Sequence, residues 1–349
     1  MKETMTSCER VLSALRHELP DRVPWMEGIV GNGIASAVCG EPINVDWSVA
    51  PDGFSRQRGA ELAEEQKKFN RALGKDNLQF SAFAPIFAHK MEKSDDGSPV
   101  LVGDGMIRTR DDFQKIFKLP PVDDSGFITN AREFIAHKEG YCAVACVRLG
   151  IGATLLSMGI EAFSYAMADD PDLIMEVHDA YADWTAKVVP IMEEIGFDII
   201  WGFDDVAFNN GPVFNPEFYR KYILPKEREV VASFTKPFIS HSDGDMTPLL
   251  DAWLELGQAA IHPIQPDVMD INTVKTKHGD RVALVGNIFM SDLVNKTPED
   301  IDAQVRERIE KIGKGGGYII SSSNSLTDDM KPENVRAMAD AIDKYGWYR

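Results

Sequence analysis

Apolar and polar positions along the chain follow a repeating rhythm: short, nearly continuous apolar runs separated by longer segments with helical spacing. The runs are PWMEGIV (24–30), NLQFSAFAP (77–85), YCAVACVRLG (141–150), DIIWGFDD (198–205), PFISHSDG (237–244), QAAIHPIQP (258–266), RVALVGNI (281–288) and GGYIISSS (316–323). Each is short enough for a strand and lacks the polar alternation of a strand with one wet face, so each is expected to be buried on both sides. Between them lie amphipathic stretches at 55–73, 129–138, 153–195, 218–234, 247–256, 270–278, 298–312 and 332–345. Strand and helix in regular alternation demand a parallel sheet covered by helices, and eight such units in one chain favour closure into a (β/α)8 barrel, a TIM barrel. The chain is therefore read as one α/β domain over 1–349. It carries an N-terminal helical extension at Ser7 to Leu19 and an insertion around 86–125, where PVLVGDGMIRT suggests a small hairpin about a Gly-Asp-Gly turn.

In such a barrel the chemistry sits at the C-terminal strand ends. Those ends bring Asn32, Ser81, Arg148, Asp204 with Asp205, His241 with Asp243, His262 with Gln265, Asn287, and Ser323 with Asn324. Loops are polar, so part of this set is expected to be mere loop surface. His241 and Asp243 stand two apart and share a face of an extended strand. That pair could bind a metal, move a proton or hold a polar ligand. A histidine capping a buried turn, with Asp243 as its partner, is the structural alternative. The carboxylates Asp204, Asp205 and Asp243 are costly to bury without partners, which favours an enzyme. Trp25, Phe83, Phe87, Trp201, Phe203, Phe208 and Phe289 lie near strand ends, as pocket lining or as core.

Composition narrows the classes. Among 349 residues, 44% are hydrophobic and the formal net charge is −18, which argues against binding nucleic acid or anionic membranes. No apolar run reaches the length of a membrane span, and the first residues lack the apolar core of a secretory signal. Cys8, Cys39, Cys142 and Cys146 have neither zinc-knuckle nor redox spacing. Buried, reduced thiols and a cytoplasmic location are the expectation.

Several segments together resemble the uroporphyrinogen decarboxylase superfamily, which includes corrinoid-dependent methyltransferases. They are ERVLSALRHELPDRVP, GATLLSMGIEAF (152–163), NPEFYRKYILP (215–225), HSDG, VGNI, GGGYIIS and KPENVRAMADAI, and the likeness covers nearly the whole chain. The resemblance implies a barrel enzyme. The decarboxylase carries an arginine-rich R-Q-A-G-R segment after its first strand, where this chain reads MEGIVGNGIA. It also has an aspartate after the next strand, where this chain reads FSAFAP, and its tyrosine falls on Ser157 or Met158. Thiol-methylating members hold zinc with His-x-Cys and a later cysteine. Here His241 keeps the histidine, Asp243 replaces the first cysteine, and the second falls near Ser323 or Asn324.

The likeness therefore points to the methyltransferase component of an O-demethylase. That component moves a methyl group from a methoxylated small molecule, such as a phenyl methyl ether, to the cobalt of a corrinoid (cobalamin) protein partner. His241, Asp243 and Asp205 are assigned to catalysis and, where zinc is present, to the metal. Asn32, Ser81, Arg148, Trp201, Asp204, Asn209, Asn210, His262, Gln265, Asn287 and Asn324 are candidates for substrate binding. A decarboxylase acting on a tetrapyrrole or a smaller acid, and a non-catalytic corrinoid- or ligand-binding barrel, are the alternatives; a homodimer is left open.

Overall fold

The computed structural model describes residues 3–47, 57–88, 91–93, 99–101 and 104–348. Seven parallel strands form one curled sheet, in chain order: β1 (Asn77–Ser81), β2 (Cys142–Val147), β3 (Ile199–Phe203), β4 (Phe238–His241), β5 (Ala260–His262), β6 (Ala283–Val285) and β7 (Tyr318–Ile319). Neighbours in sequence are neighbours in space, the arrangement of a barrel wound in one direction.

The eighth position is held by Pro24–Glu27, which differs from the strand expected at 24–30. On the β7 side this segment makes main-chain bonds: Met26 N–H donates to the Ile320 carbonyl (3.0 Å) and Ile320 N–H to the Pro24 carbonyl (2.9 Å). On the β1 side, apart from the Asp76 N–H donating to the Trp25 carbonyl (2.8 Å), side chains do the pairing. The Asp76 carboxylate accepts from Trp25 N–H (2.8 Å), and Asn77 exchanges bonds with both backbone groups of Glu27 (3.1 and 3.0 Å). Carboxylate and carboxamide thus replace most of a ladder, so the barrel closes without a regular eighth strand.

Although the strands are apolar throughout, their side chains alternate between two environments. Cys142, Val144 and Cys146 of β2 point inward with Ile199, Trp201, Ile239, Ala260, Val285 and Ile319, whereas Ala143, Ala145 and Val147 face the helical shell. Val11, Ala14 and Leu15 complete the inner cluster. They come from the helix Ser7–Leu15, capped at Thr6 with Glu9 closing the box, which packs against β2 and β7. This helix is shorter than the expected 7–19 because the backbone turns at His17, whose φ is 60°.

Two further expectations change. The hairpin at 86–125 pairs Met91–Lys93 with Pro99–Leu101 rather than turning at Gly-Asp-Gly. Gly105 instead bridges Ala88, and a Cβ there would stand 2.2 Å from the Ser157 carbonyl oxygen, so this glycine serves close packing. Residues 89–90, 94–98 and 102–103 of that insertion, and 55–56 of the helix expected at 55–73, lie outside the described residues; the helix itself is Gly59–Leu73. Two of the cysteines expected to be buried, Cys8 and Cys39, are half-buried, and all four are free thiols. Among the described residues no single helix is long and apolar enough to cross a membrane.

Candidate functional site

Register assembles the site. Phe203, His241 and His262 are aligned partners at the C-terminal ends of β3, β4 and β5, all on the inward face. Continuing the alternation by two residues brings Asp205 and Asp243 inward beside them. The turn after β4 is forced by Gly244 (φ +86°), where a Cβ would lie 2.7 Å from the Ala207 backbone.

At the centre His241, 5% exposed, aims Nε2 at two carboxylates: Asp205 Oδ1 at 3.3 Å and Asp243 Oδ1 at 3.8 Å. Asp205 also accepts from the Asp243 backbone N–H (3.1 Å), and the Asn324 amide donates to Asp243 Oδ2. Asp243 Oδ1 is buried and has no hydrogen-bond partner among the described residues. Behind the ring, His241 Nδ1 meets His262 Nδ1 at 2.6 Å, and His262 Nε2 lies 3.4 Å from Ser321 Oγ, which reaches the buried Glu27 at 3.3 Å. One proton assignment satisfies this row: His241 donates from Nδ1, neutral His262 donates from Nε2 to Ser321, and Ser321 donates to Glu27. It fixes His241 so that Nε2 is the atom presented to the cleft.

The electrostatics follow from burial and from the two aspartates. Burial works against charge on His241, but Asp243 and Asp205 outweigh it and raise its pKa. The cleft walls oppose ionisation of Asp205, whose side chain is still 62% exposed, yet the bond and charge of His241 carry its pKa below the usual carboxylate value. Asp243 moves the other way, raised by burial and by repulsion from Asp205. Burial and the adjacent His241 push His262 well down, in keeping with a neutral ring. The site is thus an ion pair, His241 with Asp205, flanked by a carboxyl group with one bare oxygen.

His241, Asp205 and Asp243 each offer a ligand atom within 4.8 Å of the others. One imidazole nitrogen and two carboxylate oxygens, with the bare Asp243 Oδ1 among them, are a donor set that suits a three-ligand zinc site with an open position. A second group, Cys8, Cys142 and Asp198, lies at the opposite end of the strands. There Asp198 already takes Lys138 Nζ at 2.7 Å on both oxygens and the Ala143 N–H at 2.8 Å.

His241 and Asp205 open into a cleft of about 540 Å³, a size that suits a small organic ligand. Ser81, Arg148, Asp205, His241 and Asn324 line it, with Phe83, Phe203 and Phe208. Other candidates stand elsewhere. Asp204 faces away and accepts from the backbone N–H of Leu149 (2.6 Å) and Gly152 (2.8 Å), clamping the turn into the helix Ile151–Met158. Burial and Glu227 raise its pKa to about 6 against those bonds. Trp201 and His262 are buried behind the cleft, ring to ring at 5.0 Å. Asn32 holds both backbone groups of Val45, and Asn287 spans Ile264 and Arg308. Gln265 bonds Gly244 N–H (2.8 Å) and Asn209 (3.0 Å), bracing the turn that carries Asp243. Asn209 and the exposed Asn210 form the tip of a hairpin, Ala207–Phe208 with Gly211–Pro212, that overhangs the site.

The sequence reading missed Cys146 and one wall of the cleft, Leu155, Leu156 and Ile160. Its trace was present: ATLLSMGI is apolar around its whole circumference, more than a helix with one buried face needs. The hairpin was also signalled, by Asn-Asn-Gly between short apolar pairs.

Comparison with known proteins places the chain. It matches the uroporphyrinogen decarboxylase (URO-D) family over residues 90–345. Similar curated proteins are the uroporphyrinogen decarboxylase of Pseudoalteromonas translucida, 25% identical over 68% of this chain and 70% of that one. That of Methylococcus capsulatus is 28% identical over 51% of each, so the chain spans about half the length of that relative. Among solved structures, a methyltransferase from Methanosarcina mazei superposes with a TM-score of 0.73 at 18% identity, over 98% of this chain and 99% of that one. A B12-independent methionine synthase from Shewanella sp. W3-18-1 gives 0.54 at 12% identity, over 93% and 98%. At these identities the structural likeness is one of fold.

Proposed function

The chain belongs to the uroporphyrinogen decarboxylase family, and from that premise we propose that it is a methyltransferase. It moves a methyl group from a methoxylated small molecule, a phenyl methyl ether, to the reduced cobalt of a corrinoid carried by a partner protein. The observation that supports this reading most is His241 Nε2 facing Asp205 and Asp243 at the floor of an aromatic-lined cleft. Methyl transfer from an ether breaks the C–O bond and leaves its electron pair on oxygen, so the site must stabilise that oxygen. His241, held in one orientation by His262 and charged by its aspartates, donates the Nε2 proton there. Asp205 stabilises the imidazolium until transfer, and Asn324 steadies Asp243. Where zinc is bound, His241, Asp205 and Asp243 would hold it, and it would supply Lewis-acid stabilisation of the same oxygen.

The acceptor is large, and the rim suits it. Of the exposed large hydrophobic residues, Ile29, Leu156, Ile160 and Phe208 all border this cleft, as a surface that receives a macromolecule would require.

A second reading, decarboxylation, is favoured by the names of the curated relatives. Against it stands the segment after Glu27, which contains no arginine to clamp a substrate with many carboxylates. One assay separates the two. The protein is mixed with chemically reduced cob(I)alamin and a panel of methoxylated aromatics, methylated amines and methanol, and the absorbance of methylcobalamin is followed. In parallel, carbon dioxide release from uroporphyrinogen is measured. Methylation by an aryl ether without carbon dioxide release is the expected result. Release of carbon dioxide, with no methylation even when the corrinoid partner is supplied, overturns the proposal.

A further inference from the structure

One charged side chain in the cleft has no counterpart. Arg148 stands at the end of β2 on the inward face, partly buried, and lines the same cleft as His241. Its guanidinium lies over the Phe83 ring, 4.3 Å from the centroid, a stacking contact that leaves the edge N–H groups free. Among the described residues it donates no hydrogen bond and forms no ion pair.

Other arginines with little exposure behave differently. Arg10 bonds Asp21 (2.7 Å) and Asp76 (2.8 Å), Arg22 bonds Asp76 (3.1 Å), and Arg308 bonds Asn287 (2.9 Å). The two acids near Arg148 are engaged elsewhere: Asp204 with the amides of Leu149 and Gly152, and Asp205 with His241 and the Asp243 amide. A guanidinium withdrawn from water and left unmatched costs free energy unless a ligand completes it.

Its place relative to the triad gives the ligand a shape. Phe83 meets Phe203 edge-on at 6.0 Å, and Phe203 packs against His241 at 5.0 Å. Contacts therefore run from Arg148 through Phe83 and Phe203, whose rings stand perpendicular at 84°, to His241, so guanidinium and imidazole share one aromatic wall of the cleft. A substituted ring held against that wall would offer one substituent to His241 and another to Arg148.

We propose that Arg148 is an anion-binding residue of the cleft, and that the methyl donor is an aromatic acid whose carboxylate is read by Arg148 while its methoxy group meets His241. The inference rests on the aryl-ether reading above and narrows it to a substrate class. The carboxylate takes two parallel N–H bonds from the guanidinium, and the ring packs beside Phe83 and Phe203. A neutral arene would leave the donors of Arg148 unmatched, so the cleft discriminates by charge.

The test is binding, measured by calorimetry without corrinoid, so its failure is distinct from a failure of methyl transfer. The probes are 4-methoxybenzoate and the near-isosteric neutral 4-methoxybenzamide, on the wild type, Arg148→Met and Arg148→Lys. The wild type is expected to prefer the acid by about tenfold or more. Arg148→Met should lose that preference while binding the amide within about twofold of wild type, and Arg148→Lys should retain part of it. Equal affinity for acid and amide in the wild type, an undiminished preference in Arg148→Met, or binding of neither probe overturns the proposal. If Arg148→Met fails to fold, Arg148→Lys decides: an undiminished bidentate-sized preference there counts against a planar fork.

Discussion

The two ends of the barrel treat buried charge in opposite ways. At the N-terminal end, Arg10 is 1% exposed and Asp76 is fully buried, yet these charges are matched: Arg10 to Asp21 and Asp76, Arg22 to Asp76, and Asp76 also to the Trp25 N–H. Even its cluster of metal-type ligands is closed, because Lys138 and a backbone amide already saturate Asp198. At the C-terminal end the matching stops short. Among the described residues, Asp243 keeps a bare oxygen, and Arg148, stacked on Phe83, donates no hydrogen bond and forms no ion pair. Matched charges close a barrel whose eighth segment lacks a full ladder; on the proposed reading, the unmatched ones take a ligand. The same charged residue types thus serve structure at one end and, on the proposed reading, chemistry at the other, and what separates them is whether their charges are matched.

The comparison can be broken at either end. The largest expected effect is on stability: Arg10→Ala takes from the buried Asp76 and from Asp21 their shared guanidinium and should cost about 3–5 kcal/mol, read by denaturant unfolding, with the rate per folded molecule unchanged. Next come the adjacent aspartates, which the account assigns opposite duties. Asp204→Ala leaves the Leu149 and Gly152 amides unsatisfied and should destabilise by about 1–3 kcal/mol. Asp205→Ala should leave the unfolding midpoint near wild type and lower methyl transfer instead, together with zinc content where the wild type binds zinc, measured by elemental analysis. Equal behaviour of the two variants would erase the distinction between a clamp and a site residue.

The smallest effect is a pH slope in the helical shell. His178 is buried in the helix Pro171–Ile195; burial lowers its pKa, but Asp179 at 3.0 Å and Glu227 at 3.7 Å carry it up to about 9. A histidine with a raised folded-state pKa stabilises fully below its unfolded value near 6.5 and loses that contribution as pH rises through 9. The wild-type advantage over His178→Gln should therefore shrink by on the order of 1–3 kcal/mol across that window. Buried Lys75, depressed to about 7, gives the opposite slope, so the difference between the two proteins is the quantity to follow. A pH-independent difference would remove the ion pair from the account.

The sequence disclosed most of what depends on apolar runs and little of what depends on pairing. CAVACV, IIWGF and FISH announce strands because a doubly buried strand has no polar side to hide. PWMEGIV looks the same, but its bonds to β1 pass largely through Asp76 and Asn77, which no hydrophobic pattern reveals. Alternation along β3 separates Asp205 from Asp204 only once the strand direction and its neighbours are known. The register of Phe203, His241 and His262 then turns three strand ends into one site, with His262 behind His241 rather than in the cleft. Asn32 and Asn287 ended expected strands, but a carboxamide can clamp a loop as readily as it can touch a substrate, and both do so here. The emptiness around Arg148 is likewise a property of three dimensions.

The most direct test of the central claim is the methyl-transfer rate of His241→Ala, measured beside its unfolding midpoint with reduced cobalamin and an aryl methyl ether. Loss of the group that stabilises the departing oxygen should slow transfer by about 100-fold or more, with the midpoint unmoved. A variant that transfers methyl at the wild-type rate would contradict the account, because the unmatched end of the barrel would then not be where the chemistry happens.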